Sequence, residues 1–137
     1  MIAFIIEGIP IGKGRPKFFR RGNFVGTYTP GKTREYENSV ISQALPYKPD
    51  IPLNIPLAVK LRFYFPIPSS ATKKFKTKAI TELVPVTKKP DLDNCVKAIL
   101  DPLNTIFWTD DKLIVEILAK KFYSERPRIE VFIKEVK

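Results

Sequence analysis

Pro90-Asp91-Leu92-Asp93-Asn94-Cys95-Val96-Lys97 opens the most sharply patterned stretch of the chain, and the fold is read outward from it. From Leu92 onward, Cys95, Val96, Ile99, Leu100 and Leu103 recur at the three- and four-residue spacing of a helix with one buried stripe. Pro90 biases Lys89 towards extended geometry. If Asp91 to Asp93 continues extended, side chains two apart project to the same side, so both carboxylates face one point. Asp93 is also well placed as the helix N-cap, with Lys97 one turn beyond it on the same face. Pro102 removes a backbone donor and crowds Ala98, which predicts a kink or an end near Asp101, with Asn104 closing the helix.

Downstream, Ile106-Phe107-Trp108 reads as an apolar hinge, and Leu113 to Leu118 is dense enough in apolar residues for a buried strand. Asp110 and Asp111 open that strand, where only one of them can face inward. Asp111 shares its face with Leu113, Val115 and Ile117, whereas Asp110 runs with Lys112, Ile114 and Glu116, so the more apolar company makes Asp111 the inward residue. The strand's return is expected to bring Asp111 beside Asp91 and Asp93. Ile129 to Val136 alternates as the last strand, reached through Ser124-Glu125-Arg126-Pro127.

Upstream, Ile2 to Glu7 predicts a strand, and Gly8 to Pro16 an exposed loop carrying Lys13 and Arg15. That loop is not a P-loop, because glycine follows Gly12-Lys13 where Ser or Thr would hold magnesium. Lys17 to Arg20 and Phe24 to Tyr28 flank a turn at Arg21-Gly22-Asn23. Thr29-Pro30 begins a helix with a stripe through Tyr36, Val40, Ile41, Ala44 and Leu45, closed by Pro46. Leu57, Val59, Leu61, Phe63 and Phe65 alternate with Lys60 and Arg62, as in a strand crossing the core. Ser69-Ser70 then caps a short helix bearing Lys73, Lys74, Lys76 and Lys78, and Lys88-Lys89 extends this basic rim to Asp91. The fold class is α/β of the α+β type: a small mixed sheet with antiparallel hairpins packed against two to three helices, one domain over residues 1–137.

Lys and Arg number 24 against 14 Asp and Glu, a net charge of +10 that favours a polyanionic partner, nucleic acid first. Histidine is absent and Cys95 is the one cysteine, which excludes internal disulfides, zinc fingers and histidine-dependent triads. Cys95 lies on the apolar stripe and reads as a small buried hydrophobe. Met1 to Ile6 reaches Glu7 without a basic leader, so it reads as a strand rather than a signal peptide, and no apolar run approaches a membrane span. The expected location is cytoplasmic, with no membrane partner and no small-molecule cofactor beyond a metal.

Aspartates gathered around one helix in a basic chain need a reason, and a metal supplies it. Converging carboxylates repel unless a divalent cation relieves them, and oxygen donors select Mg2+ with Mn2+ as a substitute. Such a site, with Asp91, Asp93 and Asp111 as metal ligands and Lys97 at the scissile phosphate, suits phosphodiester hydrolysis. An EF-hand is excluded, since Cys95 and Val96 occupy the positions that need an oxygen ligand and the glycine. Asp-x-Asp also serves metal-dependent glycosyltransferases, but 137 residues leave little room for a nucleotide-sugar domain.

Lys89-Pro90-Asp91-Leu92-Asp93-Asn94, then Lys97, Asp101 and Leu103-Asn104, then Phe107-Trp108-Thr109-Asp110-Asp111 and Leu113 to Glu116, resembles the signature block of the RusA family of Holliday junction resolvases. A weaker resemblance extends over Thr33 to Glu37 and the amino-terminal strand. The resemblance implies a magnesium-dependent homodimeric endonuclease making paired, symmetric nicks in four-way junction DNA, in recombination and repair. It assigns catalytic or metal duty to Asp91, Asp93 and Asp111 and phosphate duty to Lys97, the residues already selected. Pro102 and the short Asn104-Thr105-Ile106 connection depart from the pattern. Lys13, Arg15, Lys73, Lys74, Lys76, Lys88 and Lys89 are the expected DNA-binding residues. The competing readings are a nucleic-acid-binding module without catalysis, and a metal-dependent nuclease acting on flaps, forks or RNA.

Overall fold

The alternation of Leu57, Val59, Leu61, Phe63 and Phe65 is realised as the inner face of the central strand, where all five are buried. The computed structural model describes residues 1–14, 17–28, 31–81 and 84–137. Its elements are β1 (Ile2–Glu7), β2 (Lys17–Arg21), β3 (Phe24–Tyr28), α1 (Gly31–Ala44), β4 (Leu57–Pro66), α2 (Lys73–Thr81), α3 (Leu92–Leu103), β5 (Ile114–Ser124) and β6 (Arg128–Glu135). Short 3-10 turns occupy Leu45–Tyr47 and Asp111–Leu113. The sheet runs β1-β6-β4-β5, with β6 antiparallel to both neighbours and β5 parallel to β4. A parallel pair needs a long crossover, and α2 and α3 supply it. β5 and β6 follow one another in the chain without pairing: β6 crosses over to sit between β1 and β4. β2 and β3 form a separate hairpin whose turn places Gly22 at φ 58°, a left-handed conformation glycine adopts without strain.

One core joins the sheet to the helices. Phe4, Ile6, Leu57, Val59, Leu61, Phe63, Ile129, Val131 and Ile133 from the strands meet Val40 and Ala44 of α1 and Cys95, Ile99 and Leu103 of α3. α1 packs on α3 and on β1. Phe107 and Trp108 have no exposed surface, so the expected hinge is a plug of the core.

Several local expectations change. Asp91 takes the N-cap position, in extended conformation (φ −63°, ψ 147°), and Asp93 lies inside the first turn. The extended Asp91 to Asp93 pairing therefore does not form, because the apolar stripe draws Leu92 into the helix. α3 continues through Pro102 to Leu103, since the bond lost at Pro102 falls in the last turn, where Asn104 N–H reaches the carbonyls of Leu100 and Asp101. Thr72, not the Ser69-Ser70 pair, caps α2, its Oγ1 accepting from Phe75 N–H at 3.1 Å. The expected Thr29-Pro30 helix start lies outside the described residues.

The largest departure concerns β5. Val115, Ile117 and Leu118 are 62%, 48% and 47% exposed instead of buried. β5 is the edge strand, and the register slips at its start, where Leu57 pairs with Ile114 but Ala58 with Glu116, leaving Val115 as an extra residue.

Candidate metal and nucleic-acid site

The start of α3 is built by two supports, the loop after β1 and a lysine on β5. Gly12 lies so near Pro90 that an added Cβ would meet the proline Cβ at 2.6 Å and Asn94 Cβ at 3.3 Å. Lys13 N–H donates to Asn94 O at 3.1 Å, and Gly14 N–H to Thr33 Oγ1 at 3.2 Å, tying the loop to both α3 and α1. The Lys13 ammonium donates to Asp101 Oδ2 at 2.6 Å and lies 3.4 Å from Glu37 Oε1. Burial alone would lower its pKa, but the hydrogen bond and charge of Asp101 and the charge of Glu37 outweigh that and hold it above the usual lysine value. The ammonium therefore stays charged at neutral pH, and its contribution is lost as pH rises through that raised value. Lys13, expected to contact phosphate, is engaged as a strut between α1 and α3 in this conformation.

A proline ring cannot yield as a flexible side chain does, so Gly12→Ala must push the loop off Pro90. We expect a stability loss of about 1–3 kcal/mol, read as a lower melting temperature. A melting temperature at or above that of the unchanged protein would show that the loop relaxes freely.

On the other side, the Lys121 ammonium donates to Lys88 O and to Pro90 O, both at 2.6 Å, and stands 5.4 Å from the centre of the Phe65 ring. These bonds anchor the turn from which Asp91 projects. Sequence reasoning missed Lys121, although a signal was available: a cation alternating with Ala119 and Tyr123 on the helix-facing side of a strand needs a partner. Pro85, Val86, Lys88, Lys89, Asp91, Lys120, Lys121 and Phe122 line a groove along this side. Lys13, Lys89, Asp91 and Asn94 line a second depression on the other side of Asp91. Asp91 thus stands on the wall between two lysine-lined hollows.

Asp91, Asp93 and Lys97 are exposed and make no ion pair among the described residues. Asp91 makes no side-chain capping bond either, so helix capping does not account for its carboxylate. Two negative charges at a helix N-terminus are stabilised by the unpaired N–H groups there. Cys95 lies immediately below, buried, with Sγ 3.9 Å from Pro90 O. Burial pushes its thiol up to about 11, with Lys121 pulling it down and Asp93 and Asp91 pushing it up. The thiol should therefore react with a neutral-pH alkylating reagent at least about 100-fold more slowly than in urea-unfolded chain; equal rates would show that α3 does not cover it.

Asp111 sits at the opposite end of α3. It opens the 3-10 turn before β5 rather than an extended segment, and Asp110 caps that turn by accepting from Lys112 N–H at 2.9 Å. Trp108 Nε1–H donates to Asp111 Oδ1 at 2.7 Å. The connection between α3 and Trp108 is tight: Thr105 N–H bonds Trp108 O at 2.8 Å, and Thr105 has φ 70°, a left-handed conformation that a β-branched residue adopts only under strain. α3 has 12 residues and so is about 18 Å long. The helix therefore separates Asp91 and Asp93 from Asp111. Among the described residues no three Asp, Glu, His or Cys side chains lie close enough together to hold a metal ion. Exposed carboxylates fit a hard divalent cation in kind, while one chain does not gather the expected set of three.

Lys73 and Lys74 are exposed on α2, and Lys76 donates to Ser69 O at 2.9 Å. Arg15 lies outside the described residues. No described helix is long and apolar enough to cross a membrane.

The chain is 37% identical over 137 residues to an uncharacterised protein, YqaN, of Bacillus subtilis strain 168, covering 98% of this chain and 96% of that one. It is 31% identical over 134 residues to the crossover junction endodeoxyribonuclease rusA of Lactococcus phage r1t, covering 95% and 86%. The family model for endodeoxyribonuclease RusA matches residues 7–134, a span holding both ends of α3 and the lysine-lined groove. The chain belongs to the RusA endodeoxyribonuclease family.

Proposed function

We propose that this protein is a structure-selective endonuclease that resolves four-way DNA junctions by metal-dependent phosphodiester hydrolysis, acting as a homodimer in recombination and repair in the cytoplasm. The observation that carries the reading is the pair of carboxylates, Asp91 and Asp93, without an ion-pair partner among the described residues, at the start of α3 beside a groove lined by Lys88, Lys89 and Lys121. The groove lysines, with Lys73, Lys74 and Lys76 beyond them, attract the phosphate backbone and hold it against the carboxylates. Lys97, one turn into α3, donates to the scissile phosphate and offsets charge as the bond breaks. When bound, Mg2+, or Mn2+ in its place, supplies Lewis-acid polarisation of the phosphoryl oxygen.

A dimer answers two needs at once. Paired nicks at a symmetric junction require two equivalent sites related by a two-fold axis. The set of three carboxylates also closes between protomers, with Asp91 and Asp93 from one chain and Asp111 from the other, since α3 holds them apart within a chain.

The test is cleavage of a labelled synthetic four-way junction with Mg2+, beside linear duplex, flap, fork and RNA controls, for the unchanged protein and Asp93→Asn. Symmetric nicks on opposing strands, absent with EDTA and in the variant, support the reading. A junction bound but uncut in both Mg2+ and Mn2+ would leave a binding module, and equal cutting of forks or flaps would remove the junction preference.

A further inference from the structure

We infer that the free edge of β5 is the surface on which a second copy of this chain docks, in antiparallel strand pairing about Leu118; this rests on the dimeric reading above. Among the described residues the outer edge of β5 is used at one end only. Lys121 O accepts from Val86 N–H at 3.2 Å, and Tyr123 N–H donates to Val84 O at 3.1 Å. Backbone groups along a strand alternate in direction, so those of Ile117 and Ala119 also point outward, where the sheet has no further strand among the described residues. The regular free stretch is therefore Glu116 to Lys120, bounded by the irregularity at Val115 and by the Val84 to Val86 segment.

That stretch has the composition of an interface. Ile117 and Leu118 point to opposite faces of the sheet, yet both are about half exposed, at 48% and 47%. An uncovered apolar edge is a template for another strand, and it carries no proline to prevent pairing. Its charges select the occupant. A two-fold axis at Leu118 sets Leu118 against its copy, exchanges hydrogen bonds between Ile117 and Ala119, and places exposed Glu116 opposite exposed Lys120 at both ends. The edge is thus complementary to itself.

The same pairing has a consequence for the site. Antiparallel strands place the beginning of one β5 at the far end of the other, where Lys121 holds Pro90. The Asp110-Asp111 turn of the second copy is thereby carried towards the end of β5 at which Lys121 holds Pro90. Two sheets become one continuous sheet across the axis.

The test is sedimentation of the full chain over a micromolar concentration series, with Glu116→Lys, Lys120→Glu and their equimolar mixture. Each single variant turns both cross-strand attractions into repulsions and should raise the dimer Kd by about tenfold. The mixture should recover the original Kd, because Lys then faces Glu at both ends in the mixed dimer. Circular dichroism checks that these exposed substitutions leave the fold intact. If both single variants dimerise as tightly as the unchanged chain, or if the mixture fails to recover, this surface is wrong while the dimer stands. A chain that is monomeric throughout the series would overturn the dimeric reading itself.

Discussion

Asp91→Asn should reduce junction cleavage by on the order of 10³-fold while leaving junction binding unchanged or tighter. The substitution keeps the shape of the side chain and removes its charge. Because the Asp91 side chain makes no capping hydrogen bond, the only structural cost is the lost attraction to the α3 N-terminus. That cost is about 0.3–1 kcal/mol, too small to unfold a domain. Binding should not suffer, since the residue lies between two lysine-lined hollows and its carboxylate repels the phosphates those lysines attract. Cleavage should suffer because the proposed divalent cation loses an anionic oxygen ligand. Single-turnover cleavage, a mobility-shift titration and a thermal melt on the same preparation separate the three effects. Cleavage at the unchanged rate would reduce Asp91 to an exposed helix start; parallel loss of cleavage and binding would make it part of the DNA-gripping surface.

Much of this arrangement was legible in the sequence because it rests on short-range patterns. The period of two in Leu57 to Phe65 and the helical stripe from Leu92 to Leu103 each carry enough apolar residues to override their neighbours, and both elements form over nearly the expected residues. The turn at Gly22 and the stop at Asn104 are equally local. What pattern could not supply was pairing. Nothing in the residues of β6 says that it inserts between β1 and β4, and so nothing told that β5 is left at the edge with Val115, Ile117 and Leu118 uncovered. Apolar density alone does not distinguish a strand buried within one chain from one left at an edge. The same gap affects the site: chemistry singles out Asp91, Asp93, Lys97 and Asp111, but Asp111 lies beside the others only if the strand's return crosses the start of α3. The short Asn104-Thr105-Ile106 connection, with Trp108 locked into the core, holds it at the far end instead. Lys13 shows the limit of counting charge, since two carboxylates brought in by tertiary structure engage its ammonium.

Trp108 is where fold and chemistry meet, and two substitutions should separate them. Trp108 has no exposed surface and packs against Phe107, with ring centroids 6.4 Å apart. Trp108→Ala removes the indole from a closed core and should cost about 3–5 kcal/mol, a large share of the roughly 5–15 kcal/mol that holds a small domain together. Most function would then be lost through unfolding. Trp108→Phe keeps an aromatic plug but deletes the Nε1–H that holds Asp111 Oδ1 at 2.7 Å. Groups that orient a metal-binding carboxylate typically contribute about 10–100-fold to activity, so cleavage should fall by that factor while the chain stays folded and binds junction DNA normally. The double variant decides the cause. If the indole acts by aiming the carboxylate, Trp108→Phe should cost nothing further once Asp111→Asn is in place, because the aimed group is already disabled. Additive losses would mean that Trp108 matters through packing alone, and full activity in Trp108→Phe would mean that the 3-10 turn positions Asp111 without the indole's help.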